Sequence, residues 1–441
     1  MTARTVGGQW ATGPRVTGPR PRERRRIRGR VGLGAVAILL AGGCGQSTPP
    51  VTPIPTATRT APPAAPASVA PLPSPDVAWV VADVAQPSAV TDAPSVAPGQ
   101  FCSPCHPAAE SQLFGVAATS DGLVAVGVQQ PPAVAVAFES HDGSRWQPAS
   151  GFAPGLGTSA LGVASGAGRT IVVGRDDAGA AAWIRDAAAT WRAATGVDLA
   201  GPAGATAMTS VAAVGGSFLA GGYSDDPARG TTAAAAWRST DGQAWRRERS
   251  AAFDGGRIEG VAGGPRGVVA VGTRGDPVRG PAAAWVRSAN GTWQRATIDD
   301  EAGVMRAVVA VGTGFVAVGD DPGDRTAAVW RSADGTSWTR LPPDAALRTP
   351  SGPIRMLSVA GDGRGLVATG WRSDAANGSA VAWLSDDGTR WRQTDWLPSF
   401  SGGQMAAVAI VGQTLVAAGR TGYPDNNQAT IWTTSRPYPP R

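Results

Sequence analysis

The chain has 441 residues, with 39 Arg and no Lys, 33 acidic residues and a formal net charge of +6. Nine of the Arg fall within residues 1–43 beside a single acid, Glu23, so the remaining chain holds 30 Arg against 32 acids, a net of −2. A near-neutral body has no basic field with which to hold nucleic acid or an anionic lipid surface, and its length allows one large domain or two ordinary ones.

Residues 22–30 read Arg-Glu-Arg-Arg-Arg-Ile-Arg-Gly-Arg, and thirteen uncharged residues, Val31 to Gly43, follow them up to Cys44. As a helix this stretch would span about 20 Å at about 1.5 Å per residue, against about 30 Å for a bilayer core. It therefore reads as the apolar part of an export signal and not as a spanning helix. Leu39-Leu40-Ala41-Gly42-Gly43-Cys44 resembles the lipobox of bacterial lipoproteins, departing from it in Ala41, where Leu is usual. The resemblance implies a signal peptide over residues 1–43, palmitate-type lipid on Cys44, and a protein held by that lipid at the outer face of the cytoplasmic membrane.

Residues 44–76 are Pro, Ala, Thr and Ser with hardly a core side chain. Pro removes backbone donors and small side chains bury little, so this stretch reads as an extended tether, about 30 residues reaching about 100 Å. Val77-Ala78-Trp79-Val80-Val81-Ala82 is then an apolar strand without partners of its own. Residues 83–112 read as a Pro- and Ala-rich insert carrying Cys102-Ser103-Pro104-Cys105-His106. That spacing matches c-type haem attachment, but the insert is too short to wrap a haem. A local Cys102–Cys105 disulfide is the simpler expectation in an oxidising exterior, with a redox dithiol and haem attachment as alternatives.

Beyond it a frame repeats. An aromatic recurs at Phe138, Trp183, Trp237, Trp285, Trp330, Trp383 and Trp432, and eight residues after each of the first six stands Trp146, Trp191, Trp245, Trp293, Trp338 and Trp391. Between the paired aromatics lie turns centred on Asp142, Asp241, Asp334 and Asp387, each followed by Gly, with Asn290-Gly291 shifted by one residue. Asp-Gly and Asn-Gly accept positive φ at little cost and predict tight hairpins. Two further strand-like runs precede each pair, as in Phe114 to Ala118 and Leu123 to Gly127. Four antiparallel strands per repeat make the blade of a β-propeller. Residues 77–441 are thus predicted to be all-β, a seven-bladed β-propeller of four-stranded antiparallel blades. The last repeat lacks a fourth strand, and the strand at residues 77–82 is expected to fill that slot and close the ring, which removes two raw sheet edges.

The hairpin Ser-x-Asp-Gly-x-x-Trp resembles the Asp-box of sialidase-type (BNR) propellers, Ser-x-Asp-x-Gly-x-x-Trp, with one residue missing. The resemblance covers about residues 114–441. It implies that the box is structural and turns away from the ligand face. Sialidases use three Arg, a Tyr-Glu nucleophile pair and an Asp. This chain has only Tyr223, Tyr423 and Tyr438, few Glu, and no Arg-Ile-Pro segment in its first blade. No Gly-x-Ser-x-Gly elbow or Cys/His metal cluster is present in the sequence. The expectation is a non-catalytic module with no cofactor or metal, a monomer without nucleic-acid partners; a divergent sialidase-like glycoside hydrolase is the alternative. The polar loops between second and third strands supply a candidate ligand rim: Tyr223, Arg229, Arg274, Arg279, Asp321, Arg325, Trp371, Arg372 and Tyr423. Mixed Arg, Asp, Tyr and Trp suits a glycan, a peptide or an envelope protein.

Overall fold

The computed structural model describes residues 77–86, 110–196, 198–201, 205–226, 228–323, 325–349, 352–373, 378–422 and 426–435. The expected signal and tether, Cys44, Cys102, Cys105 and Tyr423 lie outside these residues.

The protein is a seven-bladed β-propeller. The inner strands of the blades are Glu110–Thr119, Ser159–Gly166, Thr206–Val214, Gly256–Gly264, Val304–Val311, Ile354–Gly361 and Gln404–Val411. From each, the sheet runs outward in sequence order through a second, third and fourth strand, all antiparallel. In blade seven the fourth position is taken by Val80–Val81, which pairs with Thr433 and Trp432 of the third strand. Closure by the N-terminal strand is thus as the sequence predicts.

That segment does more than close the ring. Directly after it, Asp83–Val84 pairs in parallel with Arg145 and Trp146 on the outer strand of blade one. The segment therefore clamps blade seven to blade one across the closure seam. Thr297–Ile298 adds in the same parallel way to the outer strand of blade five. Of the stretch 83–112, read from sequence as an insert, Asp83–Val84 and Glu110 to Gln112 belong to strands of blade one.

The paired aromatics have separate tasks. Three of the outer-strand indoles lock their hairpins: Trp146, Trp245 and Trp338 each donate Nε1–H to the carbonyl of the turn glycine, Gly143, Gly242 and Gly335, at 2.9 to 3.0 Å. In the same turns Ser140, Ser239 and Ser332 accept the Gly N–H, while Asp142, Asp241 and Asp334 accept the N–H two residues on. Asp387 and Asn290 make the corresponding bonds to Thr389 and Thr292. In blade two, where the box is missing, Asp186 accepts from Ala188 and Thr190 and serves the turn alone. The third-strand indoles pin the connection that arrives from the preceding blade. Trp237, Trp285, Trp330, Trp383 and Trp432 donate to carbonyls of Asp198, Ala252, Asp300, Ala346 and Ser399.

The core lies between blades. Trp285, for instance, packs with Leu219, Ala234 and Ala236 of blade three and Ile258 of its own blade. Runs of Ala on the third strands let sheets approach closely beside the large indoles, which interleaves small and large side chains. Each inner strand carries a β-bulge near its start, such as that between Ile258 and Gly260. Opposite every bulge stands a second-strand glycine: Gly127, Gly174, Gly222, Gly272, Gly319, Gly370 or Gly419. A Cβ at any of them would lie 1.8 to 1.9 Å from an inner-strand carbonyl oxygen, far inside van der Waals contact. Only Gly fits this close backbone approach.

Candidate functional site

The loops between second and third strands share a face with the connections between blades. Isolated bridges such as Ala233 with Asp254 and Thr326 with Arg348 tie the two together, and the Asp-Gly hairpins turn on the opposite face. On the loop face, blades four to six enclose a groove of about 1020 Å³. It is lined by Arg279, Arg325, Asp320, Asp321 and Arg355, and by the apolar Val278, Pro281, Pro322, Pro353 and Ile354. A smaller pocket of about 200 Å³ adjoins it through Arg355 and is lined by Trp371, Gln404 and Arg420.

Local structure sets these side chains. In the loop that follows Arg274, the Asp276 carboxylate accepts the N–H groups of Val278 and Arg279 at 2.7 and 3.0 Å. The Val278 N–H above all, with that of Arg279, holds the Asp276 carboxyl below the usual carboxylate range. The loop is closed further by Gly280 N–H to Asp276 O at 2.8 Å and Arg274 N–H to Pro281 O at 2.9 Å. Arg279 is thus presented from a stapled turn. Arg325 sits in the next blade at φ +57°, a left-handed conformation that costs a residue with a Cβ about 1 kcal/mol or more.

The acids of the groove are already engaged. Asp320 accepts from Arg306 Nε at 2.8 Å and lies 3.4 Å from Arg355 Nε. Asp321 accepts from Arg340 Nη2 at 2.7 Å and from the Gly323 N–H at 2.9 Å. Glu301 is 2.6 Å from Arg274. Among the described residues, the exposed guanidinium groups of Arg279 and Arg325 make no hydrogen bond or ion pair with a side chain. In the smaller pocket the Arg355 guanidinium lies 5.9 Å from the Trp371 ring centre, and Arg420 donates to Gln404 at 3.2 Å and Asn427 at 2.8 Å.

The structure therefore gathers Arg279, Asp321 and Arg325 into one groove, places Trp371 in the pocket beside it and joins Arg274 to the groove through Glu301. Tyr223 and Arg229 line neither. Tyr223 is covered by the Arg257 guanidinium at 3.3 Å from its ring centre, with Arg257 also 3.2 Å from Asp225. Arg229 is exposed and paired with Asp226 at 2.7 Å. Arg372 ends the second strand of blade six opposite Ser379. The sequence reading missed Arg355, Gln404 and Arg306. A signal for them exists, a charged or polar residue inside the apolar start of an inner strand, as in Ile354-Arg355-Met356 and Met305-Arg306-Ala307.

Chemically the groove presents hydrogen-bond donors on a scaffold whose acids are satisfied, which is an arrangement for holding an anionic group. A Tyr-Glu nucleophile pair is not assembled there among the described residues: Tyr223 lies under Arg257, and Glu301 is held by Arg274. Among the described residues no three His, Cys, Asp or Glu side chains gather as a metal site.

No protein-family profile matches the sequence, and no curated protein matches it. Several solved structures are similar to this chain at low identity. YCF48 bound to D1 peptide is 14% identical with a TM-score of 0.46, over 74% of this chain and 93% of that one. A protein of unknown function from Dyadobacter fermentans is 14% identical with a TM-score of 0.45, over 74% and 94%. Trypanosoma rangeli sialidase in complex with sialic acid is 13% identical with a TM-score of 0.40, over 74% of this chain and 54% of the sialidase.

Proposed function

We propose that this protein is a non-catalytic binding module that takes a carboxylate-bearing polymer, an acidic glycan or a peptide, in the groove across blades four to six. The lipobox-like segment and the Pro-rich stretch place the module, in this proposal, at the outer face of the cytoplasmic membrane on a lipid-anchored stalk. One observation carries the binding reading: every acid lining the groove is matched by an Arg, whereas Arg279 and Arg325 make no ion pair among the described residues, Arg279 feeling the Asp276 charge only at longer range. A carboxylate bridging them would gain charge-assisted hydrogen bonds worth about 1.5–3 kcal/mol each. The proline and aliphatic surface between them suits an extended chain, and Trp371 in the adjoining pocket offers a stacking face for a sugar ring or an apolar side chain.

The test compares matched probes: peptides ending in a free carboxylate against the same peptides amidated, and uronic-acid oligosaccharides against their neutral counterparts, by fluorescence polarisation at 50 and 200 mM salt. The proposal expects binding that requires the carboxylate and weakens with salt. Equal binding of charged and neutral partners would remove it.

A further inference from the structure

The seven inner strands enclose a cavity of about 230 Å³ on the propeller axis, lined by three residues from each strand. In each strand the first of the three is the residue that the bulge leaves without a second-strand partner. These seven positions form a ring with two sides. Thr209, Glu259 and Arg306, from blades three to five, are polar; Leu357, Ala406, Phe114 and Leu161, from the remaining blades in order around the ring, are apolar.

Glu259 is the acid of this ring, and its carboxylate makes no hydrogen bond or ion pair with any described residue. Two cations stand near it and both are turned to other partners. Arg306 points toward the loop face, giving Nε–H to Asp320 at 2.8 Å and Nη1–H to the Pro277 carbonyl at 3.4 Å. Arg257, two residues before Glu259, covers Tyr223 and pairs with Asp225. Burial outweighs their attraction and pushes the Glu259 carboxyl up. A half-buried carboxylate that lines a cavity without a protein partner is a place where a cation gains by binding.

We propose that this axial cavity is a second binding site, separate from the groove, for a protonated primary amine carried on an aliphatic stem. An ammonium has three donors and no acceptor, so it needs oxygen lone pairs. Glu259 supplies a carboxylate. Thr209 has its one hydroxyl hydrogen engaged by backbone carbonyls, Ile258 at 2.7 Å and Gly221 at 3.1 Å, and so leaves its oxygen lone pairs to accept. The facing sector of Phe114, Leu161 and Leu357 receives the stem. The same two-sidedness argues against a divalent metal ion. Calcium takes six to eight oxygen ligands and magnesium a near-octahedral set, whereas more than half of this ring is hydrocarbon.

The experiment uses n-pentylammonium chloride and n-pentanol as probes of the full-length protein, by saturation-transfer NMR and calorimetry. At pH 7 the amine should bind at least tenfold more tightly than the alcohol. Glu259→Gln should lower amine affinity at least tenfold and leave that of the alcohol unchanged, and Glu259→Asp should retain more amine binding than Glu259→Gln. Arg279→Ala with Arg325→Ala should not change amine binding, which keeps this site apart from the groove. Where Glu259→Gln fails to fold, the wild-type pH profile decides: amine affinity should fall as the pH is lowered and the carboxylate gains its proton. Equal affinity for amine and alcohol, absence of amine binding, full amine affinity in Glu259→Gln, or a flat pH profile would each overturn the proposal.

Discussion

Trp383 and Trp391 are the paired tryptophans of blade six, are both fully buried, and belong to one apolar cluster. They differ in one respect. Trp383 Nε1 donates to the Ala346 carbonyl at 2.8 Å, whereas Trp391 Nε1 is buried without a partner. Replacing an indole by a phenyl ring removes about 40 Å² of apolar contact, worth about 1 kcal/mol at about 25 cal/mol per Å². At Trp383 the Ala346 carbonyl also loses its donor, adding about 1–2 kcal/mol. At Trp391 the change deletes a buried donor that has nothing to bond, which offsets part of the packing loss. Trp383→Phe should therefore cost about 2–3 kcal/mol and Trp391→Phe about 1 kcal/mol or less. Urea denaturation followed by circular dichroism, with the m-value unchanged, would read the difference as two midpoints. Equal losses, or a costlier Trp391→Phe, would refute the assignment of the third-strand indole as the pin of the inter-blade connection.

Two further predictions concern the ring and its hairpins. Deleting residues 77–84 removes buried Val77 and Trp79 and both strand pairings across the closure seam, and should cost at least about 4 kcal/mol; an unchanged melting temperature would contradict closure by this segment. In the hairpins, backbone N–H groups hold Asp142, Asp241 and Asp334 below the usual carboxylate range, led by those of Ser144, Ala244 and Thr336. The unfolded chain then takes up protons first, near pH 4, so this stabilisation is complete above about pH 5 and is lost as pH falls through the depressed native values. The melting temperature should drop from pH 5 to pH 3, less steeply in Asp241→Asn; a flat profile would argue against the hairpin bonds.

The fold was legible because its signals are local and repeated. An Asp-Gly turn fixes a hairpin within four residues, and Trp245 or Trp338 falls in phase because its indole must reach the turn glycine's carbonyl. The site was only partly legible because it is assembled across blades. Arg279, Arg325 and Trp371 could be selected as polar or aromatic loop and strand-end residues, but the same criterion selected Tyr223, which Arg257 of the neighbouring blade covers. Arg355 and Glu259 lie inside strands that read as apolar core. Arg355 reaches the groove from near the start of its strand, while Glu259 faces the axis at a bulge, a backbone irregularity invisible in a period-two pattern. The second-strand glycines carry that information, since each marks the bulge opposite it.

The central claim is that Arg279 and Arg325 hold the carboxylate of a ligand. Its most direct test is the affinity of the tightest carboxylate-bearing probe for the wild-type protein and for the Arg279→Ala, Arg325→Ala double variant, measured by calorimetry at one salt concentration. Two lost charge-assisted bonds predict a fall of about a hundredfold or more. An unchanged affinity in a folded double variant would contradict the account.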